Sequence, residues 1–220
     1  MSRALRLAPA LLLLGLALPA RADLIANGSF ETYTGTFGSD GGRRLLAGNT
    51  QMTGWTVVVA EIAILRVPNS YSLAPSHGGY FLDMVGYANL LTHGVTQTVN
   101  GLVPGKTYRF SIDLGISNIA SCVPGATCTG PISVLVAFVP GASQTLTHDS
   151  VAPGNAWGTY SFEFVAPAST SVLTVTATAK PSNGAYVGVD NLSLIEVTPA
   201  PLLPYTEPVA PPPAGAAPLR

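Results

Sequence analysis

The chain has 220 residues, of which 10% are charged, and its formal net charge at pH 7 is −1. This near-neutral balance argues against a nucleic-acid-binding protein, because such proteins carry basic patches that neutralise phosphates. Glycine and proline are abundant, with 23 and 19 copies, whereas the helix formers Glu and Lys are rare outside apparent loops. The composition therefore favours an all-β protein.

The first 22 residues have the pattern of a signal peptide. Arg3 and Arg6 give a basic start, an apolar run follows, and residues 20–22 form a small-x-small cleavage site. The run is short and interrupted by proline, so a membrane anchor is the less favoured interpretation. We expect a secreted protein, extracellular or periplasmic, whose mature chain starts at Asp23. Three arginines leave with the signal peptide, so seven basic and eleven acidic residues remain, a net charge of about −4.

The first half of the mature chain reads as short strands separated by loops. A strand-like segment with an Asn27-Gly28 turn opens it, and a long non-periodic loop with room for one short strand follows. The next strand is predicted to run continuously from Gly54 to Val67, before a loop and another short strand. In order, these segments are 23–31, 32–52, 54–67, 68–79 and 80–85.

The second half contains the clearest strand of the chain. After the Pro104-Gly105 turn, Tyr108, Phe110, Ile112 and Leu114 alternate with polar residues, which predicts a strand with one buried face. The other predicted strands cover residues 95–99, 132–139, 142–148, 159–165, 172–179 and 185–197. Nine to eleven strands and no useful helical period predict a two-sheet, jelly-roll-like β-sandwich over residues 23–197. No second long apolar run is present, so we expect no membrane span in the mature chain.

Two further features lie outside the strand pattern. Cys122 and Cys128 are the only cysteines; in an exported protein we favour a small disulfide, with free thiols or a soft-metal pair as alternatives. Residues 198–220 contain eight prolines, which predicts an extended, mobile tail.

Four sequence pieces occur in an order that resembles a known family. They are NGSFE at 27–31, GW at 54–55, GLVPGKTY at 101–108 and VDNLSL at 189–194, and a W…F-x-F segment follows Trp157. The chain resembles the exported β-sandwiches described as domain of unknown function 642 and the bacterial choice-of-anchor proteins. The resemblance implies a galactose-binding-domain-like jelly roll akin to carbohydrate-binding modules.

The resemblance also implies a structural calcium ion. In related sandwich modules the acid after N-G-x-F and the acid of the closing strand bind Ca²⁺, and these are Glu31 and Asp190 here. The glycine-rich loop around Asp40 is expected to supply further oxygen ligands. The alternative is that both carboxylates are capped by backbone N–H groups or by a basic side chain.

Glycan binding is the expected function, since aromatic faces and a few polar groups suffice to hold a sugar. We expect the aromatic contacts to come from Tyr33, Phe37, Tyr71 and Tyr87, and the polar contacts from His77, Asp83, Asn89 and Asn118. The alternative is that the aromatics are core residues, which is our prediction for Trp55 and Trp157.

Catalysis is the less favoured reading. Neither a G-x-S-x-G elbow nor an H-E-x-x-H motif occurs, and we interpret Asp83 and Asp113 as solvated residues on outward strand faces. The sequence therefore predicts a non-enzymatic, polysaccharide-binding protein. The alternatives are a structural or adhesive envelope protein that binds other proteins and, less favoured, a hydrolase.

Overall fold

The computed structural model describes residues 22–70, 73–116, 131–149, 156–180 and 186–197. Every regular element in these ranges is a β-strand. In chain order the strands are β1 (Gly42–Leu46), β2 (Thr56–Val58), β3 (Glu61–Arg66), β4 (Tyr80–Asp83), β5 (Gly94–Asn100), β6 (Thr107–Ile116), β7 (Ile132–Val139), β8 (Ser143–His148), β9 (Ala156–Val165), β10 (Thr170–Ala179) and β11 (Gly188–Glu196). Within those ranges the chain forms no helix of the length and apolarity needed to cross a bilayer.

The strands form two antiparallel sheets that face each other. The first has the order β1-β3-β4-β11-β6-β9 and the second the order β2-β5-β10-β7-β8. One hydrophobic core lies between them, because most inward-facing positions of the strands carry apolar residues. The prediction of an all-β, two-sheet sandwich is confirmed.

Strand β6 lies inside the six-stranded sheet, between β11 and β9. Its predicted inward residues Tyr108, Phe110, Ile112 and Leu114 are all buried. The Phe110 ring crosses the sandwich to meet Phe138 of β7 at a centroid distance of 5.6 Å. Alternation in the sequence thus identified this strand and its core-facing side.

The predicted continuous strand over 54–67 is wrong. It is two strands in different sheets, with β2 paired to β5 and β3 paired to β1 and β4. Val59 and Ala60 adopt left-handed backbone angles, with φ of 57° and 40°, and these angles turn the chain from one sheet to the other. The sequence carries no glycine there to announce the turn.

The predicted strand-like segment at 23–31 is a series of bends and turns. Asn27 and Phe30 have φ of 52° and 60°, which is incompatible with a regular strand. The segment nevertheless pairs with β11: Leu24 N–H donates to Leu194 O at 3.0 Å, and Leu192 N–H donates to Gly28 O at 3.0 Å. The two ends of the domain are therefore direct neighbours.

Trp55 and Gln97 seal this junction from inside. Trp55 is 2% exposed, and its indole N–H donates to Asn27 O at 3.0 Å. The side chain of Gln97 accepts from Ala26 N–H and donates to Ala26 O and Gly54 O. The core assignment of Trp55 is confirmed.

Several predictions concern residues outside the described ranges. They are the signal peptide, the disulfide between Cys122 and Cys128, the ligand contacts of Tyr71 and Asn118, and the proline-rich tail. All of these stay predictions.

Candidate functional site

The segment 73–79, between β3 and β4, lies against the outer face of the six-stranded sheet. Leu73 packs with Leu65 and Phe81 in a second buried cluster, and Trp157 covers its side. The Trp157 indole N–H donates to Ala74 O at 2.8 Å. Trp157 was predicted to be a core residue; it is partly buried, and the cluster that it packs against lies on the outer face of the sheet.

Two carboxylates lie beneath this segment. Asp113 of β6 and Asp190 of β11 are direct cross-strand partners, and they are 7% and 0% exposed. The Ser76 hydroxyl lies 2.8 Å from Asp113 Oδ2 and 3.1 Å from Asp190 Oδ2. The interpretation of Asp113 as a solvated residue is therefore wrong, because segment 73–79 covers the face to which alternation assigns it.

Asp190 is held by a dense set of donors. Its Oδ2 accepts Ser76 N–H and His77 N–H, each at 2.9 Å, and its Oδ1 accepts Asn191 N–H at 2.7 Å. Burial raises the pKa of Asp190 to about 6, and the hydrogen bonds from His77, Asn191 and Ser76 oppose that rise.

Glu31 binds the other end of the same loop. Its Oε1 accepts Gly79 N–H at 2.9 Å and Tyr80 N–H at 3.0 Å. The five residues 76–80 therefore connect Glu31, near the start of the domain, with Asp190, near its end. Both carboxylates are capped by backbone N–H groups, which is the alternative that the sequence left open.

Each of these two carboxylates keeps oxygen capacity that its capping bonds leave unused. Within the described residues Glu31 Oε2 has no hydrogen-bond donor, and Asp190 Oδ1 receives only the N–H of the next residue. Oxygen atoms of this kind are suitable ligands for Ca²⁺, which requires six to eight. Across the same ranges, no group of three or more Asp, Glu, His or Cys side chains is placed to hold a metal.

Asp40 makes its described contacts elsewhere. Its Oδ1 accepts Gly42 N–H at 3.0 Å, and its Oδ2 accepts the hydroxyl of Tyr87 at 2.7 Å. The sequence grouped Asp40 with the calcium ligands, whereas these hydrogen bonds associate it with the first strand and the turn after β4.

A cavity of about 260 Å³ opens on the outer face of the sheet, over β3 and β4. We call it the first cavity. Its described lining combines two aromatic rings, an acid, an amide and small or apolar residues: Ala63, Leu65, Asp83, Gly86, Tyr87, Asn89 and Tyr186. The sequence had proposed Asp83, Tyr87 and Asn89 as ligand contacts, and the fold brings these three together.

Asp83 is the unusual residue of the first cavity. It is 1% exposed, so its interpretation as a solvated residue is wrong. Its Oδ1 accepts Val85 N–H at 3.1 Å, but its Oδ2 is buried and has no hydrogen-bond partner in the described part of the chain. Burial raises the pKa of this carboxyl well above its ordinary value; the nearby backbone N–H groups of Val85, Val187 and Gly86 oppose the rise, and the Glu61 charge adds to it.

The turn that carries Tyr87 and Asn89 is held in place by the buried side chain of Glu61. Glu61 is 1% exposed, forms an ion pair with Arg44, and accepts Ala88 N–H through its Oε1 at 2.6 Å. Gly86 has φ of 57° and lies against Glu61, so a side chain at this position would meet the carboxylate. Asn89 accepts Lys180 Nζ through its Oδ1 at 2.9 Å, which directs its amide group.

The raised pKa of Asp83 leads to a testable pH dependence. The folded state favours the protonated acid, so between the ordinary pKa near 4 and the raised value folding takes up a proton, and stability falls as pH rises. Asp83→Asn removes this group. We expect the parent to lose stability relative to Asp83→Asn between pH 4 and pH 7, measured by urea unfolding. Parallel stability curves for the two proteins would contradict the assignment.

Tyr33 and Phe37 lie away from the first cavity. Tyr33, Phe37 and Tyr80 form a ring cluster against the core, with centroid distances of 5.2 and 5.1 Å. The Arg66 guanidinium lies 5.0 Å from the Phe37 centroid. Burial raises the pKa of Tyr33, with the charge of Arg43 opposing it. These aromatic side chains therefore pack against the core, which is the alternative to ligand contact that the sequence left open.

Tyr186 was missed by the sequence reasoning. It precedes β11, more than 90 positions after Tyr87 in the chain, and no local pattern connects the two. The pairing of β11 with β4 brings them to one cavity, since Gly188 is the direct partner of Asp83. Only the topology could reveal this neighbour.

Comparison with known proteins places these features in a family. A 175-residue stretch is 27% identical to halomucin of Haloquadratum walsbyi, covering 79% of this chain and 2% of that protein's length. Among solved structures, TmCBM61 in complex with β-1,4-galactotriose matches with a TM-score of 0.43 and 16% identity, over 80% of this chain and 99% of that one. A family 35 carbohydrate-binding module from Clostridium thermocellum matches with a TM-score of 0.40 and 14% identity, over 69% and 97% of the two chains. The family model described as protein of unknown function (DUF642) matches residues 23–194, and the chain belongs to that family.

Proposed function

We propose that this protein is an exported, non-catalytic carbohydrate-binding β-sandwich whose ligand occupies the first cavity. The observation that carries the proposal is the buried Asp83 Oδ2, which has no partner. A buried polar atom without a hydrogen bond costs about 1–3 kcal/mol, and a ligand hydroxyl group would remove that cost.

The remaining lining suits a sugar. A pyranose has an apolar face of C–H groups and a rim of hydroxyls, which match an aromatic ring and nearby polar side chains. The Tyr87 side chain is 46% exposed and offers such a ring, while Asn89 supplies amide N–H donors. The cavity volume of about 260 Å³ is near the lower limit for small-molecule sites, so we expect it to hold a short stretch of a glycan.

The test is glycan binding by surface variants that leave the core intact. We expect Tyr87→Ala and Asn89→Ala each to weaken binding at least about tenfold, because each removes a direct contact worth roughly 1.4 kcal/mol. A glycan array would select the ligand, and titration calorimetry would measure its affinity.

The matched control is Leu90→Ala. Leu90 is 56% exposed and follows Asn89, but it does not line the first cavity. The affinity of Leu90→Ala for the glycan should therefore equal that of the parent. An array that stays silent across plant and bacterial polysaccharides would reject carbohydrate binding. Equal loss of affinity in Leu90→Ala would place the site elsewhere.

A structural calcium ion bound by Glu31 and Asp190 is the second part of the proposal. It is supported by the carboxylate oxygens that remain after the capping bonds to residues 76–80. Calcium at about 100 times its dissociation constant should add about 2.7 kcal/mol to the stability of the parent. Thermal unfolding in calcium and in chelator measures this difference, and Glu31→Gln should abolish it. Identical melting curves of the parent in calcium and in chelator would contradict the proposed calcium site.

A further inference from the structure

One row of residues on the outer face of the six-stranded sheet determines the surroundings of Asp83 in the first cavity. Ala63 of β3 and Gly188 of β11 are its direct cross-strand partners. Neither partner has a polar side-chain atom, so neither can form a side-chain hydrogen bond with the Asp83 carboxyl. Ala63 and Leu65 also line the cavity, which places apolar side chains beside that carboxyl.

These surroundings favour the neutral form of the Asp83 carboxyl. Its Oδ1 accepts one N–H, from Val85, while its Oδ2 is buried and has no hydrogen-bond partner among the described residues. An ionised carboxylate in this position would lose its hydration with little compensation, and a buried acid avoids that cost by keeping its proton. Because Oδ1 already accepts an N–H, the proton belongs on Oδ2. The unpartnered atom is therefore a hydrogen-bond donor.

No cation in the described part of the chain is placed to hold Asp83 in its ionised form. The nearby Glu61 charge disfavours ionisation, and the cavity wall adds only the phenol groups of Tyr87 and Tyr186. The other charged groups on the elements around Asp83 have partners of their own: Arg44 with Glu61, Lys180 with Asn89, and Asp190 with the N–H groups of Ser76 and His77.

Asn89 adds a second donor to the first cavity. Its Oδ1 accepts Lys180 Nζ at 2.9 Å, so its NH₂ group is the part of the amide that remains for a ligand. The Tyr87 hydroxyl donates its proton to Asp40. The first cavity thus combines two donor groups with apolar side chains, and a complementary ligand combines acceptor oxygens with a small apolar group.

We propose that Asp83 is a hydrogen-bond donor that selects an acyl group, so that the ligand is an acetylated glycan. This inference rests on the proposed function. The carbonyl oxygen of an N-acetyl or O-acetyl group accepts the proton of Asp83 Oδ2, and its methyl group packs on Ala63 and Leu65. Asn89 donates to another oxygen of the same sugar unit. Asp83 is then the residue that determines specificity.

An unmodified sugar hydroxyl fits this position less well than an acyl carbonyl does. A hydroxyl oxygen can also accept from Asp83, but the hydroxyl proton then needs an acceptor of its own, and Asp83 and Asn89 both act as donors. A polar group left without a partner in an enclosed site reduces affinity. A carbonyl oxygen carries no proton and avoids this loss.

The first experiment compares acetylated and unacetylated oligosaccharides by titration calorimetry. One pair of probes is the β-1,4-linked trisaccharides of N-acetylglucosamine and of glucose, and the other is xylo-oligosaccharides with and without O-acetyl groups. We expect the acetylated member of at least one pair to bind about tenfold or more tightly, and the two pairs distinguish an amide from an ester. Equal affinities within both pairs would overturn the acyl subsite and leave carbohydrate binding intact.

The second experiment measures the affinity for the preferred acetylated probe from about pH 4 to about pH 9, the range in which buried carboxyls titrate. The affinity of the parent should fall at least about tenfold as pH rises through the raised pKa of Asp83, because an ionised acid cannot donate. Asp83→Asn keeps an oxygen for Val85 N–H and places an N–H donor at the position of Oδ2. It should therefore bind with the parent's low-pH affinity throughout.

The control is Glu163→Gln, the matching change from acid to amide at an exposed carboxyl that pairs with Arg109 on the same sheet and does not line the first cavity. It should keep the pH profile of the parent. A parent affinity that is constant or rises with pH would overturn the donor role of Asp83, as would loss of binding at every pH by Asp83→Asn that unfolds in urea as a folded protein does. If no glycan binds at any pH, the proposed function itself fails.

Discussion

Gly28→Ala is expected to lower the free energy of unfolding by about 3 kcal/mol, at the upper end for an overpacked site. A Cβ at this position would overlap the backbone carbonyl of Leu192. A backbone atom cannot rotate away as a side chain can, so the two segments would have to separate. The hydrogen bond from Leu192 N–H to Gly28 O would then be lost as well. Urea unfolding measures the difference.

The matched control for this variant is Gly79→Ala. The nearest atom to a Cβ at Gly79 is Glu31 Oε2 at 3.5 Å, which is ordinary contact, so its unfolding energy should stay within about 0.5 kcal/mol of the parent. Equal unfolding curves for Gly28→Ala and the parent would show that the N-terminal segment does not pack on β11.

Asp190→Ala is expected to cost about 3–5 kcal/mol. The carboxylate accepts Ser76 N–H, the Ser76 hydroxyl, His77 N–H and Asn191 N–H, and alanine would leave these donors unsatisfied beneath segment 73–79. Chemical unfolding in chelator isolates the hydrogen bonds from any metal. The stability of Asp190→Asn should fall between those of the parent and the alanine variant. Asparagine has the shape of aspartate and keeps one acceptor oxygen, but its NH₂ group would face N–H groups that need an acceptor.

Glu31→Ala is the comparison that makes this result specific. Glu31 accepts two backbone N–H groups at an exposed position, so its loss in chelator should cost about 1 kcal/mol. A larger loss for Glu31→Ala than for Asp190→Ala would contradict the account of how segment 73–79 is attached.

Local periodicity in the sequence was enough to predict individual strands, but not how the strands are arranged in sheets. The alternation over Tyr108 to Leu114 depends only on neighbours in the chain, and it identified β6 and its buried face correctly. The change of sheet at Val59 and Ala60 was missed, because neither residue type announces a left-handed backbone. The positive φ at Asn27, in contrast, coincides with a turn that the Asn27-Gly28 pair predicted.

The alternation pattern of a strand could not predict which residues on the outer face of the sheet are buried. Asp83 and Asp113 occupy positions that alternation assigns to solvent, and both are buried, because segment 73–79 and the turn after β4 cover that face. A loop that packs on a sheet has no periodic pattern in its sequence from which that packing could be predicted. The contacts of Glu31 and Asp190 with one loop likewise depend on topology; the family resemblance implied both residues as calcium ligands, and that role stays a prediction.

The most direct test of the central claim is a map of backbone amide NMR shifts during titration with the glycan that binds best. We predict that the largest shifts lie at Asp83, Gly86, Tyr87, Asn89 and Tyr186, the residues around the carboxyl oxygen that lacks a partner. Shifts confined to the outer face of the five-stranded sheet would contradict the claim that the ligand occupies the first cavity.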